Sequence, residues 1–272
     1  MHHQEFEPPA ALAETIKCLW YDRLEFGAAP TAFEVQPDGY AEIIFYFGSP
    51  CGVATPAGVQ RLPSPFMVGL LNQPAHFYAQ NRLEIIGIRC FPWTVFDLLG
   101  LPPAQDGVRV MRHPIAGLQA PLAQWLEAGK IAEALAEVKR YFLQRHPDAA
   151  PGPLLAKAGG AMRAAGGTLP VSQVAAAAHA TVRTLERRFK QAAGYTVKDI
   201  SSLMRFEQAR NHLWHHPSAS LAGLAHELGY TDQAHLSREF KRYSGTTPAA
   251  FARKARSRQQ AVSPDFVAFL QD

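Results

Sequence analysis

Apolar positions follow one rule in the first half of the chain and another in the second. Between residues 33 and 111 they come in short runs: AEIIFYF (41–47), PFMVGLL (65–71) and LEIIGIRCF (83–91). These runs are rich in β-branched and aromatic residues and are bounded by Gly, Pro and Asn, which predicts buried strands. Pro37-Asp38-Gly39 supplies a turn just before the first run. Three or more strands joined by turns predict a small barrel or sandwich. Leu118, Leu122, Trp125 and Leu126 then recur at helical spacing, as do Ile131, Leu135, Val138 and Phe142 after Gly129. Two amphipathic helices therefore follow the sheet. Their stripes either pack on their own domain or seal a homodimer through 118–144.

Beyond residue 150 the strand pattern stops. Helical spacing fits 154–165, 171–178, 182–192, 197–215, 221–228, 233–243 and 248–256. Thr196 with Asp199 predicts a capping box, Ser220 an N-cap, Gly229 a left-handed helix end, and Thr247-Pro248 a helix start. Between the two regimes lies HPDAAPGP (146–153), three prolines and a glycine with no large apolar residue. It predicts a linker. The expected divisions are 1–147, 154–256 and a tail at 257–272, in an α+β chain.

The helical half repeats itself. LERRFKQAAG (185–194) and LSREFKRYSG (236–245) share five of ten positions at a constant offset of 51. Each copy follows a short helix with a small residue, Ala175 or Ala225. Each also follows a tight turn, Ala178-His179-Ala180 or Leu228-Gly229-Tyr230, and a Thr, Thr181 or Thr231, expected to open the next helix. Small residues allow the close, steep crossing of a helix-turn-helix. Leu185 with Phe189, and Leu236 with Phe240, lie four apart and face one core. Arg183, Glu186 and Arg187 fall off that face, as do Ala234, Ser237 and Arg238. Two helix-turn-helix units are predicted, each repeat being the second, groove-entering helix. One copy alone would leave a helical bundle with solvated arginines as the better reading.

Charge supports this division. Residues 1–150 hold 11 Lys and Arg against 15 Asp and Glu; residues 151–272 hold 16 against 8. A half at −4 joined to a half at +8 suggests that only the second meets a polyanion. No apolar run is long enough for a membrane helix, and MHHQEFEPPA lacks the order of a signal peptide. The expected location is cytoplasmic, with no membrane partner.

At this point residues 154–256 resemble the DNA-binding domain of AraC/XylS-type transcription regulators. The resemblance is carried by LAHELGYTDQAHLSREFKRYSGTTPAAFAR (224–253) and by MRFEQARNHL in the central helix. It implies seven helices, with two helix-turn-helix units joined by that helix. It implies base contacts from Arg183, Glu186, Arg187, Ala234, Ser237 and Arg238, and phosphate contacts from Lys190, Lys241 and Arg242. His179 departs from the pattern, standing where Gly is common, so backbone strain is expected there. AAAA (175–178) leaves little to pack and predicts a looser first unit. The N-terminal half is similar, more distantly, to the family's cupin-like β-barrel sensory domain, with VQPDGYAEIIF (35–45) resembling an element of one subgroup. Double-stranded DNA, a small-molecule effector, a second copy of the chain and RNA polymerase are the partners this implies.

Enzyme chemistry finds little support. Within the barrel region His76 and His113 stand alone, without a H-x-H pair, and His2 and His3 lie at the N-terminus. Cys18, Cys51 and Cys90 are scattered, and Cys90 reads as a buried thiol rather than a nucleophile. The clustered cysteines of the family's DNA-repair relatives are missing. Neither a phosphate loop nor a nucleophile elbow is present. The expectation is a regulator that is not an enzyme, without metal or cofactor. The rivals are an enzyme or binding barrel with an accessory DNA-binding domain, and a regulator controlled by a protein partner.

Overall fold

The computed structural model describes residues 3–105, 107–145 and 152–260. Most of the expected linker, 146–151, and the tail beyond 260 lie outside the described residues, as does His2. The N-terminal unit contains two antiparallel sheets. One has six strands in the order β1 (Gln4–Phe6), β2 (Ile16–Glu25), β9 (Arg82–Cys90), β4 (Ala41–Gly48), β7 (Phe66–Val68) and β10 (Val108–Val110). The other has β3 (Thr31–Val35), β8 (Ala75–Ala79), β5 (Gly52–Thr55) and β6 (Gly58–Arg61).

Strands begin well before residue 33, which corrects the sequence expectation. β2 carries ten residues, IKCLWYDRLE, with all but Lys17, Arg23 and Glu25 buried. Because both its faces are covered, it shows no clean polar alternation. A bulge between Ile16 and Cys18 shifts its side chains by one place. Trp20 and Leu24 then point between the sheets, with Ile44, Phe66, Phe77, Leu83 and Ile85. Leu19 and Tyr21 point outward instead, into a second core. Trp20 stands opposite Gly87 of β9, where a Cβ would lie 2.0 Å from the indole. Only glycine leaves room for that ring.

The outward core is closed by helices. After α1 (Val95–Leu98) and a 3-10 turn at Pro114–Leu118 come α2 (Gln119–Glu127) and α3 (Ile131–Arg145). Leu118, Leu122, Leu126, Leu135, Val138 and Phe142 are all buried against the six-stranded sheet. Of the two roles expected for these stripes, packing on their own unit is the one filled. A dimer through 118–144 would have to use the opposite faces, where Leu143 is 37% exposed.

The C-terminal unit has seven helices: α4 (Pro153–Ala164), α5 (Val171–Ala177), α6 (Val182–Ala193), α7 (Val197–His215), α8 (Leu221–Glu227), α9 (Gln233–Ser244) and α10 (Pro248–Gln260). Their bounds match the periodicity within a few residues. The Thr196–Asp199 capping box forms, and Ser220 accepts from the Gly223 N–H at 3.3 Å. Phe206 of α7 meets Phe240 and Tyr243 of α9, so the long helix is the spine of this core. One cluster of buried residues continues across both units: Leu70, Phe91 and Trp93 pack with Ala158, Phe189 and Met204.

Candidate nucleic-acid interface

The two repeats fold into matching helix pairs. In the first, α5 ends at Ala177 with Ala178 as its C-cap, His179 turns the chain at φ 51°, and α6 begins after Thr181. Thr181 Oγ1 accepts from the Thr184 N–H at 3.2 Å. In the second, α8 ends at Glu227 with Leu228 as its C-cap, Gly229 turns the chain at φ 69°, and α9 begins after Asp232. Asp232 Oδ1 accepts from the His235 N–H at 2.6 Å. The N-cap of α9 is thus Asp232, not the expected Thr231. The left-handed turn residues are 50 apart (179 and 229), whereas the N-caps are 51 apart (181 and 232). The second turn holds one extra residue, and that residue changes the repeat's offset. Both second helices end in left-handed glycines, Gly194 at φ 77° and Gly245 at φ 71°.

Core and surface divide along each second helix as the spacing predicts. Leu185, Phe189, Leu236 and Phe240 are fully buried. Arg183, Arg187, Ala234, Arg238, Lys190, Lys241 and Arg242 are exposed, and Ser237 is half-buried. Glu186 is also half-buried, and its Oε2 accepts from the Val197 N–H at 3.1 Å. It satisfies an orphan donor of α7, so its carboxylate is already committed within the protein. Val182, which the sequence reading passed over, is 43% exposed in the first turn of α6, where α9 has the exposed Gln233. An apolar residue at a capped, unburied helix start was the available signal.

The alanine run is less empty than expected. Ala175 and Ala178 are buried beside Val174. The bulk they lack comes from the N-terminal unit, because the Trp93 ring lies 5.7 Å from that of Phe189. A Cβ at Gly159 of α4 would fall 2.3 Å from the same indole. Tyr195 donates to the Leu70 carbonyl at 3.0 Å, and Gln105 Nε2 donates to the Gly194 carbonyl at 2.6 Å. The first helix pair is therefore seated directly on the sheet unit.

Among the described residues, no group of three or more His, Cys, Asp or Glu is placed to hold a metal ion. Burial pushes the Cys18 and Cys51 thiols up to about 12, and the Cys90 thiol further. They stay protonated near neutrality and are poor nucleophiles. Nor is any described helix long and apolar enough to cross a membrane.

Residues 174–254 match the family model described as a helix-turn-helix domain, and residues 4–107 match a domain of unknown function (DUF6597). A Streptomyces antibioticus protein described as an AraC-like transcription regulator is 32% identical over 140 residues. The C-terminal unit is a helix-turn-helix domain, and the chain is similar to an AraC-like regulator. The alignment covers 48% of this chain and 46% of that relative, so the chain spans about half the length of the curated protein it matches. The AdpA DNA-binding domain, solved with a target DNA, is 26% identical over 41% of this chain and 99% of its own, at TM-score 0.36. A Chromobacterium violaceum regulator with an AraC-type domain is 25% identical over 41% and 96%, at 0.35. ToxT of Vibrio cholerae aligns over 86% of this chain and 97% of its own, at 7% identity and TM-score 0.44.

Proposed function

We propose that this chain is a sequence-specific, double-stranded-DNA-binding transcription regulator acting inside the cell and not an enzyme. One observation carries the reading: the helix-turn-helix domain presents the same capped, basic helix twice, with Arg187 and Arg238 each exposed two residues before a buried Phe. Arginine at that place can form a forked pair with guanine O6 and N7. Arg183, Ala234 and Ser237 complete the base-facing set. Val182 adds an apolar contact of the kind that suits a thymine methyl group. Glu186 acts by holding α7 rather than by touching bases. Lys190, Lys241 and Arg242 neutralise phosphates.

Fluorescence anisotropy of the full chain on duplex DNA tests this. Affinity should fall steeply with salt, because each phosphate contact releases counterions. Footprinting should show two protected patches per monomer about one helical turn, ~34 Å, apart. A flat salt response would overturn the reading.

Control by a small molecule in the barrel is the second part of the proposal. The space between the sheets, lined by Trp20, Phe33, Phe66 and Phe77, measures about 30 Å3. Ligand sites usually offer roughly 300–1,000 Å3. An effector there must part the sheets, and its binding should raise the melting temperature of the whole chain. If no small molecule shifts melting, control by a protein partner docking on the sheet unit becomes the better reading.

A further inference from the structure

The Pro37-Asp38-Gly39 turn touches more than its own sheet. Its Pro37 carbonyl accepts from Arg210 Nη1 of α7 at 3.0 Å, and the Gly39 N–H donates to the Glu207 carboxylate. A Cβ at Gly39 would lie 3.1 Å from Met204 Cγ. Met204, Glu207 and Arg210 are spaced three apart on α7, so one stripe of the spine helix sits on the turn. Arg210 is 4% exposed, and both Pro37 and Gly39 are buried.

The turn's middle residue looks the other way. Asp38 Oδ2 lies 3.5 Å from Arg89 Nη2, while its Oδ1 accepts from the Tyr40 N–H. Arg89 is 2% exposed, and its Nε donates to Glu42 Oε1 at 2.7 Å. Glu42 also accepts from the Trp20 indole at 3.2 Å. Glu42 and Arg89 are register partners of β4 and β9, and Glu42 and Trp20 line the space between the sheets. Polar contacts, joined through the backbone of the turn itself, therefore run from the space between the sheets, through Arg89 and Asp38, to the helix between the two helix-turn-helix units. Arg89 Nη1 also lies 3.9 Å from Glu5 Oε1, so four acids, Glu5, Asp38, Glu42 and Glu207, share the Arg89 and Arg210 guanidinium groups, and burial raises the Glu42 and Glu207 carboxyls. Such a network adds little net stability, yet losing one member strands the others. That makes it a candidate for two discrete arrangements.

We propose that Glu42, Arg89 and Asp38 couple the barrel interior to α7, so that the turn grips or releases the spine helix according to what fills the barrel. This deepens the regulator reading and rests on α7 being the scaffold of the reading units. Glu42 and Arg210 share no contact, so a double-mutant cycle between them isolates the coupling.

The first measurement is amide hydrogen exchange across 197–215 in the full chain without DNA. Glu42→Gln should speed exchange in α7 by about threefold or more, and Arg210→Met added to it should do little further. Arg205→Met is the control. Arg205 bonds Gly167 and pairs with Glu239, away from the barrel, so its effect should multiply with that of Glu42→Gln. The second measurement repeats the cycle on affinity for a duplex selected by the parent protein from a random pool. If Arg210→Met does not melt cooperatively, Glu207→Gln replaces it with the same expectation. Unchanged α7 exchange in Glu42→Gln, or factors that simply multiply, overturns the coupling. If exchange is coupled and no duplex is bound, the coupling stands and the DNA-binding reading fails.

Discussion

The two helix-turn-helix units share a plan and differ in what supports them. In the second, the core is made from within the helix-turn-helix domain: Phe240 packs on Phe206 of α7 and Phe251 of α10. Its turn uses glycine, and Tyr230 beside it is buried. The first has alanines where bulk is needed and histidine at the left-handed turn. Phe189, the counterpart of Phe240, finds its aromatic neighbour in Trp93 of the sheet unit. The same repeat can thus be completed by its own domain or by a neighbour. When a neighbour completes it, whatever moves the neighbour also reaches α6.

The largest expected effect tests that dependence. Trp93 is 1% exposed, so Trp93→Ala should cost about 3–5 kcal/mol by cavity formation. Thermal or urea melting measures the loss. Hydrogen exchange should quicken in α4 and α6 and much less in α9. An equal rise in both units would mean that the first does not depend specifically on the sheet unit.

The reading faces come next. Arg187→Ala and Arg238→Ala remove exposed side chains, so stability should change by no more than about 0.5 kcal/mol. If each holds a base edge, affinity for the preferred duplex should fall by about 1–3 kcal/mol, with a much smaller loss on random DNA. Equal losses on both DNAs would assign phosphate roles. A loss at Arg238 alone would make the docked first unit a support rather than a reader. Normal melting and undiminished binding in both variants would mean the faces are wrongly assigned.

These faces were legible in the sequence because a helix repeats its geometry locally. Leu185 to Phe189 is one turn wherever the helix lies, so Arg187 had to point away from them. Caps were legible for the same reason, as at Thr196–Asp199. Two kinds of feature were not. β2 is buried on both faces, so its pattern carries no alternation to mark it as a strand. The Pro37-Asp38-Gly39 turn was read correctly as a turn, but its seat under Arg210 depends on residues 173 positions apart. Glu186 shows a subtler gap. Its place on the helix marked it as outward, yet the free Val197 N–H of the next helix drew its carboxylate in.

The smallest effect concerns the turns. His179 holds φ 51° and Gly229 holds φ 69°, so both backbones are left-handed. At Gly229 an added Cβ would meet Thr168 at 3.5 Å, an ordinary contact. Gly229→Ala should therefore cost about 1 kcal/mol from backbone conformation rather than collision. His179→Gly runs the exchange backwards. It relieves the left-handed penalty, which is milder for His than for a branched residue, and it adds freedom to the unfolded chain. The first term should narrowly win, with a gain of about 0.5 kcal/mol that urea melting of the full chain can resolve. Because His179 lies at the turn and not on the reading helix, affinity for the preferred duplex should stay unchanged. A loss of affinity with intact stability would show that the imidazole itself meets the DNA, and that the first unit's departure from glycine serves binding at the expense of backbone strain.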